Sequence, residues 1–279
     1  VRFEKWQALG NDYLIVEADS LPWELSGERV RRLCDPHFGV GSDGVLALAR
    51  SEDPDFVAEL RIFNPDGSEA ELSGNGAREA ILYLRRHGWT DRDSFAIRTA
   101  AGPIVPTITS ERTCTVEMGR ASITSKDFPS GKPDGRGILR AAGREWAFQH
   151  VSVGNPQCAI EVAEGVEELD LAMIGPEIEG HELFPNRTNV SFLRIVGSRV
   201  RVRIFERGVG ETLSSGTGAS GAAVTAVLRG AASPITVELD GGELEVEVSP
   251  DLDLRLSGWA EPICSGELSP ELLRALADL

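Results

Sequence analysis

Two copies of one short phrase carry the residue types best suited to chemistry. Ser73-Gly74-Asn75-Gly76-Ala77 and Ser215-Gly216-Thr217-Gly218-Ala219 each set a hydroxyl, two glycines and a polar side chain before a stretch rich in Ala, Leu and Val. If that stretch is a helix, both phrases lie at helix N-termini, where unpaired backbone N–H groups and the positive end of the dipole favour an anion. The glycines let the backbone approach that anion without a Cβ in the way. Taken singly, either serine is more commonly an N-cap than a catalyst. Taken as a pair facing one another across a cleft, Gly74, Asn75, Gly216 and Thr217 would grip one small carboxylate. Ser73 and Ser215 would then stand on the two faces of the neighbouring carbon. That arrangement suits two-base stereoinversion, in which one group removes the α-proton and the other delivers a proton opposite. The helix ends would stabilise the negative charge that develops.

The phrases belong to a longer repeat. Arg61-Ile62-Phe63-Asn64 is echoed by Arg203-Ile204-Phe205-Glu206 at an offset of 142, and the same offset without a gap matches Glu69 to Glu211, Ser73 to Ser215 and Gly88 to Gly230. Gly10-Asn11 resembles Gly154-Asn155 at an offset of 144, and residues 95–102 resemble 235–242 at an offset of 140. Matches in chain order with small insertions describe an internal duplication. Alternation in residues 59–63, 200–205 and 244–248 predicts half-buried antiparallel strands. Ala77 to His87 and Ala219 to Arg229 predict helices, each stopped by a glycine, and Ser269-Pro270-Glu271 opens a last short helix with a serine cap. Each half therefore reads as antiparallel strands wrapped around a central helix, an α+β domain used twice. The stretch 124–137, rich in Pro, Gly, Lys and Asp, reads as a linker or surface loop between the halves.

Composition narrows the function classes. A length of 279 residues suits about two domains, and 41% hydrophobic with 26% charged residues excludes a disordered or fibrous chain. The net charge of −16 opposes a phosphate backbone, so no nucleic-acid partner is expected. Cys34, Cys114, Cys158 and Cys264 form no C-x-x-C, and the histidines form no H-x-x-x-H, so neither a disulfide framework nor a metal site is expected. The N-terminus lacks an apolar leader, and the least polar stretch, residues 216–228, is shorter than the roughly 20 residues that span a bilayer. A cytoplasmic protein with no membrane partner is expected. No cofactor is expected either: a pyridoxal Schiff base would need Lys5, Lys126 or Lys132, and two of those fall in the linker stretch. The G-x-G-x-x-G at 216–221 lacks its third glycine in the twin copy, where Glu79 stands, so a dinucleotide site is a poor match.

Further segments sharpen the reading. Residues 8–13 (A-L-G-N-D-Y), 39–44 (G-V-G-S-D-G), 63–69 (F-N-P-D-G-S-E) and 73–78 (S-G-N-G-A-R) are followed by 154–156 (G-N-P), 187–190 (R-T-N-V), 206–212 (E-R-G-V-G-E-T) and 215–219 (S-G-T-G-A). In these segments, in order along nearly the whole chain, the sequence resembles the diaminopimelate epimerase family of cofactor-independent amino-acid racemases. The resemblance implies two pseudosymmetric domains, residues 1–120 plus 263–279 and residues 121–262, with the active site in the cleft between them. It implies interconversion of LL- and meso-diaminopimelate for lysine and cell-wall supply, an amino-acid substrate as the small-molecule partner, and a homodimer. It assigns substrate binding to Asn11, Asn64, Asn155, Asn189, Glu206 and Arg207, the last two serving the distal amino-acid group. Their chemistry suits the role, since Arg207 can fork onto a carboxylate and Glu206 can accept from an ammonium. The alternative for each Asn is a turn residue, and for Glu206 and Arg207 a solvated strand-end pair.

The departures fall on the acid/base positions. The family uses a cysteine pair there, and this chain has Ser73 and Ser215; the family's G-N-P-H is Gly154-Asn155-Pro156-Gln157. A thiol with a pKa near 8.5 can be lowered to about 3.5–7.5 at a helix N-terminus, whereas a serine hydroxyl is far less acidic and needs an adjacent base. Gln157 cannot be that base. Three accounts stay open: epimerisation with another group as base, a lyase or isomerase reaction on an amino-acid-like substrate, and non-catalytic amino-acid binding. Any turnover should resist iodoacetamide and oxidants, because neither serine can be alkylated or joined in a disulfide. Rapid inactivation that tracks modification of Cys158 would remove the serine pair from the chemistry.

Overall fold

The computed structural model describes residues 1–71 and 73–279 and divides the chain into two compact units, Val1–Val116 with Gly258–Leu279, and Glu117–Ser257. The first stretch contains β1 (Arg2–Ala8), β2 (Asn11–Glu17), α1 (Gly27–Cys34), β3 (Val45–Arg50), β4 (Phe56–Phe63), β5 (Glu69–Ala70), α2 (Gly74–Arg86), β6 (Ala96–Thr99), β7 (Gly102–Ile104), β8 (Thr107–Ile108) and β9 (Thr113–Arg120). Next come β10 (Arg136–Ala141), β11 (Arg144–Ser152), β12 (Pro156–Glu161), α3 (Leu171–Glu179), β13 (Asn189–Val196), β14 (Arg199–Glu206), β15 (Gly210–Thr212), α4 (Gly216–Leu228), β16 (Ile235–Leu239), β17 (Gly242–Val248) and β18 (Asp253–Trp259). The chain then returns to the first unit with β19 (Glu261–Glu267) and α5 (Pro270–Ala277), the latter capped by Ser269 as its sequence implied.

The two units repeat one topology. In the first, the strands run β19-β1-β2-β3-β4-β6-β7 with β5 on β4; in the second, the same order recurs as β10-β11-β12-β13-β14-β16-β17 with β15 on β14, and this sheet continues through β18, β9 and β8. Most neighbours pair antiparallel. Among the described residues the pairs β2/β3, β4/β6, β12/β13 and β14/β16 run parallel. A parallel pair needs a long crossover, and α1, α2, α3 and α4 each lie in one. The sheets are therefore mixed, and the helices are the reason.

α2 and α4 are the central helices. Every residue from Asn75 to Leu84 is buried, as are Gly216 and Gly218 through Ala226. A helix buried on all sides has no polar face to show, which accounts for the Gly, Ala, Ser and Thr content of α4. Space around it is close: a Cβ at Gly221 would stand 3.0 Å from the Gln157 side chain. In α2 the burial takes in Arg78 and Glu79, both 0% exposed.

The repeated Arg and Glu acquire a common purpose. Arg61 forks onto Glu69 at 2.9 and 2.8 Å, and Arg203 reaches Glu211 through two nitrogens at 2.9 and 2.5 Å. Each pair ties the end of a long strand to the short strand that delivers the following serine. Partly exposed pairs add little stability, but a forked contact fixes geometry.

The Pro/Gly stretch 124–137 is not a free linker. Phe128 is buried against Phe148 and Phe184, with ring centroids 5.2 and 5.6 Å away, and Ser125 Oγ lies 2.9 Å from His150 Nε2. Phe128 thus packs this polar segment onto the second unit's core, and hydrogen bonds to Gly135 and Asp134 tie it to β11. Among the described residues no helix is long and apolar enough to cross a membrane.

The same core holds α3 against the strand that ends in Glu206. A Cβ added at Gly175 would overlap the Phe205 ring. Gly175→Ala should lower the unfolding free energy by about 1–3 kcal/mol, read as a fall in the urea midpoint at unchanged slope. An unchanged midpoint would mean that the Phe205 ring moves aside freely.

Candidate active site

In the first unit the site gathers at the N-terminus of α2. Ser73 is the N-cap, its Oγ accepting from Gly76 N–H at 3.1 Å. The Asn75 amide donates to Asn11 Oδ1 at 3.2 Å, and Asn11 Nδ2 donates to Asp43 Oδ2 at 3.0 Å. Asn11 opens β2 directly after Gly10, which has a φ of +83°, and so sits in a tight turn beside the helix end. Behind the row lies Arg78, whose guanidinium donates to Gly74 O at 2.9 Å and Asn75 Oδ1 at 2.6 Å. A buried cation thus fixes which way the Asn75 amide points. Tyr13, from the middle of β2, donates its phenol O–H to Ser73 Oγ at 3.2 Å. Asn64 lies apart, in the turn after β4. Its side chain donates to Ser68 Oγ at 2.9 Å and its carbonyl accepts from Gly67 N–H, so it has the turn role kept as its alternative.

The second unit repeats the arrangement with different side chains. Ser215 caps α4 and accepts from Gly218 N–H at 3.2 Å. Asn155, after Gly154 with a φ of +80°, donates to Thr217 Oγ1 at 3.2 Å, where the first unit has the Asn75–Asn11 contact. Gln157 donates to Asn155 Oδ1 at 2.7 Å and to Thr217 Oγ1 at 3.3 Å, so this amide orients the site's polar groups. The largest difference is Glu206. Its Oε2 accepts from Ser215 Oγ–H at 2.9 Å and its Oε1 from Thr212 Oγ1–H at 2.8 Å. Burial pushes this carboxyl above the usual carboxylate range, and the two hydroxyl hydrogen bonds draw it part of the way back. Ser215 thus has a proton acceptor within reach that the sequence motif did not reveal.

Asn189 and Arg207 form the next layer. Asn189, 4% exposed, accepts from Arg207 N–H at 2.8 Å and donates to Pro156 O at 3.3 Å, so both ends of its amide are engaged. The Arg207 guanidinium donates to Asn186 O at 2.9 Å. Glu179, at the end of α3, accepts from Gly208 N–H and from Arg187 Nη1, each at 2.9 Å, and so pins the turn that follows Glu206. Cys158 is fully buried with its thiol pushed well above the ordinary value, which suits a packing residue. Among the described residues no group of three or more His, Cys, Asp and Glu is placed to hold a metal ion.

Tyr13, Arg78, Glu179 and Thr212 were not singled out from sequence. Tyr13, Arg78 and Thr212 lie inside quoted motifs, but what they touch depends on strand register and helix packing. Glu179 lies in no motif, and nothing local in the sequence marks it.

The site's surroundings can be set beside known proteins. A model of the family described as Diaminopimelate epimerase matches residues 3–124 and 149–256. A protein named diaminopimelate epimerase from Synechococcus sp. (strain JA-3-3Ab) is 43% identical over 277 residues, covering 95% of this chain and 96% of its own length. Another of that name, from Synechococcus sp. (strain JA-2-3B'a(2-13)), is 44% identical over 278 residues, with coverage of 95% and 96%. Among solved structures, a hydroxyproline epimerase from Agrobacterium vitis with bound trans-4-OH-L-proline aligns with a TM-score of 0.64 at 17% identity. It covers 100% of this chain and 98% of that chain, a likeness of fold.

The Ser215–Glu206 contact sets a pH expectation. A raised carboxyl pKa means that Glu206 favours the folded state most below the ordinary carboxylate pKa, and that this contribution fades as pH rises through the raised value. Proton acceptance needs the ionised form, so turnover should climb over the same interval. Thr212→Val removes a hydrogen bond to the carboxylate and should move the acidic limb of kcat/KM to higher pH. A limb that stays in place would mean that another group controls it.

Proposed function

This chain belongs to the diaminopimelate epimerase family, and from that premise we propose that it interconverts LL- and meso-diaminopimelate by moving protons at one α-carbon with a pair of hydroxyls. It is an isomerase of the amino-acid racemase type acting on a small amino-acid substrate. The observation that carries the reading of its chemistry is the Ser215 Oγ–H to Glu206 contact at 2.9 Å.

In this reading the helix ends at Gly74–Asn75 and Gly216–Thr217 hold the substrate carboxylate with backbone N–H groups. Asn11 and Asn155 present amides beside them, and Arg207, its backbone held by Asn189, forks onto the distal carboxylate, while Asn64 keeps its turn role. Ser215 removes the α-proton while its own hydroxyl proton passes to Glu206. Ser73 delivers a proton to the opposite face. A hydroxyl is an unfavourable base by itself, so the step depends on Glu206 being ionised, fixed and hydrogen-bonded in advance. Glu206→Gln should therefore lower turnover by about 100-fold or more, the usual scale for losing an acid/base group.

The reading is tested by α-hydrogen exchange in D₂O, followed by NMR, on LL-diaminopimelate and a panel of amino acids. Inversion with deuterium uptake is expected for diaminopimelate, unaffected by iodoacetamide. A Ser73→Cys/Ser215→Cys version should also invert and should be inactivated by the reagent. Activity confined to that version would mean that the hydroxyl pair does not carry the reaction. Silence in both would mean a different ligand.

A further inference from the structure

The two serines have different companions, and the difference has a chemical direction. Ser215 Oγ donates to a carboxylate, whereas Ser73 Oγ accepts from the Tyr13 phenol at 3.2 Å while also accepting from Gly76 N–H at 3.1 Å. By the offset of the repeat, the position matching Tyr13 in the second unit is Gln157, and the position matching Glu206 in the first unit is Asn64. Each substitution removes from one copy what the other has: among the described residues a carboxylate accepts from Ser215, and a phenol meets Ser73. The phenol is held in place. Tyr13 is 5% exposed, and its ring lies over Gly44, where an added Cβ would come within 2.6 Å of it.

We propose that Tyr13 is the proton reservoir of Ser73, so that the first unit acts as the acid side and the second as the base side of the reaction. The proposal rests on the epimerase reading and deepens it. On one face the Cα–H bond breaks, its proton bonds to Ser215 Oγ, and the Ser215 hydroxyl proton moves to Glu206. On the other face the electron pair left on Cα takes the Ser73 hydroxyl proton, and the Tyr13 O–H proton restores the Ser73 hydroxyl. The net result is inversion at Cα, a neutral Glu206 and a Tyr13 phenolate. Reverse turnover, or exchange of both groups with solvent, resets the pair. A phenol is a much stronger acid than an aliphatic hydroxyl, so transfer from Tyr13 to a serine alkoxide runs downhill. The Ser73 alkoxide need not persist, and this answers the objection that serine is too weak an acid for the task.

The test is a cycle of four proteins: the unaltered chain, Tyr13→Phe, Ser73→Cys and the two changes combined. Each is assayed in D₂O for inversion and for α-deuterium uptake starting from LL- and from meso-diaminopimelate. Tyr13→Phe keeps the ring and should lower inversion by about 100-fold. Deuterium uptake should survive from the epimer whose α-hydrogen meets Ser215 and fall for the other. In the Ser73→Cys background the same change should cost little, because a thiol donates without a reservoir. A loss of equal size in both backgrounds, or an equal fall in exchange from both epimers, would make Tyr13 a packing residue and overturn the proposal. Unchanged inversion by Tyr13→Phe would overturn it as well. Absence of exchange with the unaltered chain defeats the epimerase reading, and the relay falls with it; unaltered activity alongside an inert Tyr13→Phe change defeats the relay alone.

Discussion

Each unit buries the first turn of its central helix, and a buried first turn cannot leave its amide groups without acceptors. The hydroxyls at positions 73 and 215 meet part of that requirement before any chemistry is considered. A capping serine spends a lone pair on the helix and keeps its proton. Capping and the proposed proton transfer therefore draw on different parts of the same group, and the cap does not oppose the proposal. In the proposed reading the remaining N–H groups of the turn take the substrate carboxylate.

Duplication supplied the frame, and substitution within it made the two copies differ. Both copies keep the strand order, the parallel crossovers, the Arg–Glu fork and the Gly-Asn turn that meets the helix end. They differ in the two side chains that touch the serine or lie in the corresponding place. Glu206 stands where the other copy has Asn64, and Tyr13 stands where the other has Gln157. A symmetric frame treats both faces of a carbon alike; here the groups behind the two serines differ.

Much of this was legible in the residues. The ungapped R-I-F…E…S-G-x-G gave the duplication, the central helices and the serine positions because it encodes local structure: alternation, a glycine-bearing turn and a cap. What the residues did not disclose depends on register over distance. Thr212 meets Glu206 because β15 folds back on β14, with Ile204 opposite Thr212, and no local pattern marks that pairing. The four parallel pairs leave no local mark either, because alternation reports burial and not strand direction. Phe128 was hidden in a segment whose composition says loop, since one aromatic among Pro, Gly and Lys scarcely changes an average. Glu206 was read as a ligand for the distal group, and its bond to Ser215 became visible only with the fold.

Strand β19 pairs with β1 from Arg2 opposite Glu267 to Gln7 opposite Glu261. It occupies the place that β10 holds beside β11 in the second unit. The second copy thus carries its edge strand ahead of the sheet, whereas the first must wait for a segment translated after the whole of its twin. On the ribosome the nascent first unit emerges with one edge of β1 unpaired, open to mismatched partners, while the later copy can fold from contiguous chain. The strands of the second sheet are thus all available before those of the first, whose edge is supplied last by the C-terminal segment.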